Sequence, residues 1–189
     1  ERIKDTPISE QAFMGAGIGA AAAGLRPIIE LMSISFSLVA FDQIVNMAAN
    51  LRYMSGGQIS VPMVIRAPTG AGVQLAATHS QSFETWLAEV PGMKVVCPSN
   101  SYDALGLIRS AIKDNNPVFV AEPALLYGAK AEVPDEYYEI ELGKARIARA
   151  GSDITLVSYG YGMRPVEAAA DRLSMVGVSA EVIDLRSLN

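Results

Sequence analysis

The chain has 189 residues, 50% hydrophobic and 19% charged. That is enough apolar material for one domain and part of another, and it excludes intrinsic disorder. Fifteen basic against twenty acidic residues leave a net charge of −5, which argues against a nucleic-acid binder working through a basic footprint. No apolar run approaches the ~18 residues of a membrane span. The lone cysteine, Cys97, and the lone histidine, His79, exclude an internal disulfide, a cysteine-rich zinc site and paired-histidine metal motifs. A single cysteine fits a reducing compartment. The sequence opens on Glu1 without a signal or transit peptide and stops just after a predicted strand, so a portion of a longer chain is expected.

Ser9 to Leu25 is rich in alanine and glycine and predicts a tightly packed helix with Ser9 as N-cap. Pro27 to Met32 reads as a short buried strand. From Phe36 to Met54, Leu38, Phe41, Ile44, Val45, Ala48 and Leu51 fall at helical spacing and predict one amphipathic helix. Ser55-Gly56-Gly57 stops it. Pro62 to Ala67 is again a buried strand, and Pro68 to Ser80 a glycine-containing loop. Phe83 to Val90 predicts a short helix and Met93 to Cys97 a strand. Ser99 or Asn100 caps a helix reaching about Asp114, and Pro117 to Ala121 is the next strand. The acidic, proline-bearing stretch after Glu122 reads as a linker. Beyond it, Ala145 to Ser158 predicts strands, Pro165 to Val176 a helix and Ala180 to Leu185 a strand, one βαβ unit.

Short apolar strands alternating with helices predict an α/β fold, a parallel sheet flanked by helices and followed by the start of a second α/β domain. The expected boundaries are 1–122 for the first domain, 123–144 for the linker and 145–189 for the second. Functional residues in such folds gather at the carboxyl ends of the strands.

Several residues could carry chemistry. Gly15 to Ala20 fits the loose dinucleotide fingerprint G-x-G-x-x-A, but it lies inside a helix with no strand before it. Close helix packing is its default reading. Gly160-Tyr161-Gly162 is weaker still, and neither a P-loop lysine motif nor G-x-S-x-G occurs. Glu10 sits in a first helical turn, where the helix dipole favours a carboxylate, or it is an acid at a cleft, bonded to a ligand nitrogen. His79 ends a loop that follows a strand, a better place for function than a helix face. Ala111 to Pro117 (AIKDNNP) suits a turn, and the same oxygens suit a hard cation. Arg52, Arg66 and Arg109 read as surface or packing charges, and Cys97 as a small core residue.

Taken in order, TPISE, GIGAAAAGLRPI, FDQIVNMAANLRYMSGG, THSQS, PGMKVVCPSN, IKDNNPV and LLYG resemble the β subunits of the pyruvate dehydrogenase E1 component. These belong to the transketolase-like, thiamine-diphosphate-dependent 2-oxo acid dehydrogenases. The resemblance runs through the whole chain. It implies a domain that binds the cofactor's pyrimidine ring, followed by the first part of a transketolase-type C-terminal domain. Glu10 matches the activating glutamate, which shares a proton with the ring nitrogen N1′. Phe36 matches the aromatic stacked on the ring, and Met32 lines it. His79 matches the histidine near the reacting centre, facing substrate or the incoming lipoyl group. Met63, Ala111, Ile112, Asp114 and Asn116 match positions that enclose a monovalent cation, mostly through backbone carbonyls, which suits potassium.

The family's G-D-G motif is absent, so the resemblance assigns the diphosphate and its magnesium to an α subunit. It further implies an α2β2 assembly docked on a lipoyl-bearing E2 dihydrolipoyl acetyltransferase. A 2-oxo acid would be the substrate, with no nucleic-acid or membrane partner. The compartment would be cytoplasmic in a bacterium, or the mitochondrial matrix or plastid stroma in a eukaryote. A branched-chain or acetoin-type enzyme is the alternative within this chemistry. An NAD-dependent oxidoreductase would rest on Gly15 to Ala20. A non-catalytic assembly subunit of the same fold is opposed by the joint presence of Glu10, Phe36 and His79.

Overall fold

A computed structural model describes residues 2–189. The first sheet has strands β1 (Ile28–Glu30), β2 (Val64–Thr69), β3 (Lys94–Val96) and β4 (Val118–Pro123), in the order β1-β2-β4-β3 and parallel throughout. Helices α1 (Glu10–Ala22), α2 (Leu51–Met54), α3 (Glu84–Ala88) and α4 (Ser101–Lys113) connect and cover it. On one face Ile65, Val95, Phe119 and Ala121 pack against Met14 and Ile18 of α1, Leu87 of α3, and Ile44 and Ala48. On the other, Val64, Val96, Val118 and Val120 pack against Leu107 and Ala111 of α4. Strands covered on both faces are apolar over most of their length, so the parallel sheet was predictable from its short Val/Ile runs.

Three local expectations are corrected. The strand predicted over 27–32 is β1, three residues long and outermost in the sheet, with Ile28 49% and Met32 61% exposed. Only Ile29 and Leu31 turn inward. Ser9 stands at the N-cap of α1, but its hydroxyl makes no capping bond; its carbonyl accepts from the Ala12 and Phe13 N–H groups. The helix predicted over 36–54 is broken into a 3₁₀ turn at Ile34–Leu38, widened π-type turns at Gln43–Ala48, and α2. The Ala49 N–H reaches back five residues to the Ile44 carbonyl, and the Asn50 side-chain amide donates to the Val45 carbonyl at 3.0 Å. A side-chain amide competing for backbone carbonyls is a local cause of such widening. The predicted stop holds: Gly56 and Gly57 take φ +62° and +81°, and their N–H groups close on the Tyr53 and Arg52 carbonyls.

Asn100, not Ser99, caps α4, its side chain accepting from the Asp103 N–H at 2.8 Å. The linker's latter half is anchored on this helix. Tyr138 stacks on Tyr102 with centroids 4.5 Å apart, and the Ser110 hydroxyl donates to the Ile140 carbonyl at 2.6 Å.

The second sheet comprises β5 (Arg146–Arg149), β6 (Ile154–Ser158) and β7 (Ala180–Asp184), in the order β5-β7-β6. Strands β6 and β7 are parallel across α5 (Met163–Met175), the predicted βαβ unit, and β5 adds antiparallel to β7. The chain then returns to the first sheet. The Cys97 N–H donates to the Arg186 carbonyl at 2.8 Å, the Leu188 N–H donates to the Val95 carbonyl at 2.9 Å, and Val96 bridges Ser187. Beneath this junction, buried Asp103 accepts from Arg186 at 3.1 Å and faces Arg146 at 3.5 Å. Buried Asp184 accepts from Arg146 at 3.3 Å and from the Ser99 hydroxyl at 2.5 Å.

Candidate active site at the carboxyl ends of the strands

Strand β1 delivers Met32 and the 3₁₀ turn bearing Phe36; its neighbour β2 delivers the loop bearing His79. The two rings meet edge to face, centroids 5.1 Å apart at 88°. The turn is capped by Ser33, whose hydroxyl accepts from the Ser35 N–H at 3.2 Å. With Ile34, Ser35 and Ser37 buried, Phe36 is left half-buried, and Met32 just before the turn is exposed. The Ser35 and Ser37 hydroxyls are buried without a partner.

Glu10 comes from the other side of the sheet topology. Helix α1 runs into β1 through a short turn in which Gly24 takes φ +94°. Gly17 faces the Ile29 side chain, so mid-helix is level with mid-strand. Seven residues back, at ~1.5 Å rise each, Glu10 lies about 10 Å further toward the carboxyl end of the sheet. As a residue it is 9% exposed, its carboxylate oxygens keep some access to solvent, and among the described residues they have neither a hydrogen-bond donor nor a cation. A buried carboxylate is costly unless something donates to it. A protonated ring nitrogen is such a donor, and an aromatic pair with an exposed methionine nearby offers a flat apolar wall. These residues fit a heteroaromatic ring. The glycine run from Gly15 to Gly19 lies within α1, where a Cβ on Gly17 would stand 2.7 Å from Ile29 Cδ1; it serves close packing.

The five cation-site candidates also converge, at the opposite end of the sheet. Ala111, Ile112, Asp114 and Asn116 line the turn from α4 into β4, and the Val118 N–H donates to the Met63 carbonyl at 3.0 Å. The Arg26 guanidinium donates to the Ile112 and Asp114 carbonyls at 2.9 and 2.8 Å, and to the Asn115 side chain at 2.6 Å. The Asp114 carboxylate accepts from Lys94 at 2.5 Å and from the Asn116 backbone at 2.8 Å. Desolvation opposes its ionisation, but these hydrogen bonds outweigh that and hold its pKa below the ordinary value. A carbonyl oxygen has two lone pairs. A monovalent ion here would take the second lone pairs on oxygens Arg26 already engages.

Arg66 is a packing charge, as expected: it grips Glu122 through two nitrogens at 2.7 and 2.8 Å, and Glu30 at 2.7 Å, across three neighbouring strands. Cys97 is buried, and burial pushes its thiol well above the usual range. Sequence reasoning passed over Thr69, Glu84 and Tyr159, which meet beneath the His79 loop, and Arg26. Nothing in the spacing marks them, since their partners are 15 to 89 residues away.

Residues 1–130 match the family described as transketolase, pyrimidine binding domain, and residues 143–189 match transketolase, C-terminal domain. The chain belongs to the transketolase pyrimidine-binding family. It is 51% identical over 192 residues to the human pyruvate dehydrogenase E1 component subunit beta, mitochondrial, covering 100% of this chain and 54% of that protein. It is 50% identical over 188 residues to the acetoin:2,6-dichlorophenolindophenol oxidoreductase subunit beta of Bacillus subtilis, covering 100% of this chain and 55% of that one. Its fold is similar to a split-gene transketolase solved as an inactive beta4 tetramer, with a TM-score of 0.77 at 23% identity, over 95% of this chain and 55% of the other. The chain thus spans about half the length of the curated relatives it matches.

Proposed function

We propose that this chain is part of the β subunit of a thiamine-diphosphate-dependent 2-oxo acid dehydrogenase E1 that decarboxylates pyruvate and acetylates the lipoyl group of an E2 acetyltransferase, feeding acetyl-CoA formation. The observation that carries it is the mostly buried Glu10, its carboxylate unpaired among the described residues, toward the strand end that also holds the Phe36–His79 pair. When bound, thiamine diphosphate supplies the electron sink into which carbon dioxide can leave. Glu10 would hold a proton at N1′ of the pyrimidine, its free carboxylate taking the hydrogen bond that the ring nitrogen donates. Phe36 gives that ring a stacking face and Met32 covers its rim, while His79, exposed on its loop, faces the acyl group or the arriving lipoyl arm.

In keeping with the family resemblance, an α subunit would hold the diphosphate and magnesium, and the chain would work only with it, in an α2β2 unit docked on E2. A potassium ion joins Arg26 on the carbonyls around Ala111, Ile112, Asp114, Asn116 and Met63. The domain limits remain those read from the sequence, 1–122, 123–144 and 145–189. The compartment is the cytoplasm of a bacterium, or the matrix or stroma of a eukaryotic organelle. An acetoin-type enzyme is the second reading, supported by the nearly equal identity of the Bacillus subtilis relative, 50% against 51%.

The test is dye reduction by the full-length chain with its co-purifying partner subunit, with and without thiamine diphosphate, on pyruvate, acetoin and branched-chain oxo acids. We expect cofactor-dependent turnover of pyruvate, lost in Glu10→Gln with the unfolding midpoint retained. Turnover of acetoin alone selects the second reading, and inertness toward every substrate selects a non-catalytic assembly subunit.

A further inference from the structure

His79 lies on a loop that has almost no support of its own. Residues 71–79 are all exposed, and Gly70, Gly72, Gln74 and Ala76 take φ between +59° and +108°. A non-glycine residue in this region carries backbone strain that its surroundings must hold in place. Besides the Phe36 ring on His79 and the Leu125 side chain against Gly72, the holding contacts lie at the two stems. The Gly70 N–H donates to the Gln81 carbonyl at 3.2 Å, closing the loop. One layer below, the Thr69 hydroxyl donates to Glu84 Oε2 at 2.7 Å, joining the last residue of β2 to the first residue of α3. Thr69 and Glu84 are 5% and 4% exposed. Glu84 has no cation partner among the described residues; its other oxygen accepts from the Tyr159 hydroxyl at 3.4 Å, a contact from the second domain. The three side chains line a cleft of about 340 Å³ between the two domains.

We propose that Glu84 is a positioning residue for His79: its buried carboxylate staples the incoming stem of the His79 loop to the outgoing one and ties both to Tyr159 of the second domain. A buried carboxylate without a countercharge is expensive, and hydroxyl donors on both oxygens are what make it tolerable. Burial and the neighbouring Glu84 charge both push the Tyr159 pKa up, so its hydroxyl stays protonated and able to donate. This inference rests on the reading of His79 as a group at the reacting centre, and it adds what fixes that group there.

The experiment uses the full-length chain assembled with its partner subunit. It reads backbone amide exchange over 70–81, dye-linked pyruvate oxidation, and acyl transfer to a lipoyl domain. In Thr69→Val and in Glu84→Met we expect exchange of the hydrogen-bonded Gly70 and His79 amides to quicken at least tenfold. Transfer should fall on the order of 10-fold, since a displacement near 1 Å at a reacting group can cost up to ~100-fold. Dye-linked oxidation should fall less than transfer, in line with a His79 that meets the lipoyl arm. Thr69→Ser, which keeps the donor, should behave as the parent protein. The double variant should be no worse than the Glu84 single variant, because Thr69→Val removes one of the two contacts that the Glu84 substitution already removes. Unchanged exchange in Thr69→Val, or losses that multiply in the double variant, overturn the staple. Quickened exchange with transfer intact overturns the positioning of His79. If His79→Ala itself spares transfer, the underlying reading of His79 fails, and the exchange data show separately whether the staple exists.

Discussion

A single methyl group at Gly17 tests how α1 is held over β1, and thereby how Glu10 is set. A Cβ there would stand 2.7 Å from Ile29 Cδ1 and 2.8 Å from Cγ1. Ordinary carbon–carbon contacts are ~3.5–4.0 Å, so helix and strand must part by about 1 Å, or Ile29 must leave its rotamer. A χ2 rotation cannot relieve the contact with Cγ1, and χ1 of a β-branched residue is stiff. Such overpacking costs ~1–3 kcal/mol, against ~1 kcal/mol gained by replacing glycine with alanine within a helix. Gly19, on the same helix with nothing within 4 Å of its Cβ position, supplies the control. The propensity gain cancels between the two, so Gly17→Ala should be less stable than Gly19→Ala by about 1–3 kcal/mol. At ~2–4 °C per kcal/mol for a chain of this size, the difference is visible in a thermal melt. Denaturant unfolding of the single variants and of Gly17→Ala with Ile29→Ala completes the assay. The double variant removes both clashing atoms and should recover part of the loss attributable to the clash. Equal melting temperatures for the Gly17 and Gly19 variants would refute the close packing of α1 on β1.

Asp103→Asn removes the charge that faces Arg186 and Arg146 at the junction of the two sheets. It should destabilise by ~3–5 kcal/mol, the cost of leaving a buried partner uncompensated, measurable as a drop in the denaturant midpoint. For Asp114 the sign is set by its lowered pKa. Its stabilisation is present above its unfolded value near 3.8 and is lost as pH falls through the lower folded value. Lys94→Met removes the main donor, so acid unfolding followed by circular dichroism should then begin at higher pH. An unchanged acid limb would remove this pair from the acid stability of the fold. Replacing potassium with an organic cation too large for the Ala111–Asn116 turn should lower the melting temperature; equal melts in both salts would leave Arg26 alone on those carbonyls.

The parts of the fold that were legible in the sequence are those fixed by local pattern. Val64-Ile65, Val95–Cys97 and Val118–Ala121 are apolar because both of their faces are covered, and Gly56-Gly57 stops a helix because only glycine readily takes that backbone shape. The segment from Phe36 to Met54 has the right spacing for one helix, yet its course is decided by the Asn50 amide and by packing, which spacing does not record. The exposed position of β1 depends on sheet order, which no residue of Pro27–Met32 encodes by itself. At the site, Glu10, Phe36 and His79 were legible only as parts of long motifs. Their burial and the ring-to-ring contact are tertiary facts. Glu84 was invisible because a glutamate opening a short helix is commonplace, and its meaning comes from Thr69 and from Tyr159, 75 residues away.

The return of residues 186–188 to β3 has a consequence for how the chain is made. Strand β3 has β4 on one side, and among the described residues its other side is met by Arg186, Ser187, Leu188 and the Asn189 side chain, some 90 residues later. At ~5–20 residues per second, synthesis leaves that side open for roughly 5–20 s after β3 has emerged. An open strand flank is a template for any other extended segment, including the same strand of a neighbouring nascent chain. The brevity of β3, at three residues, limits what such a stranger could gain. The first domain therefore reaches its finished state only when the second has been translated, and the two are bound to one schedule.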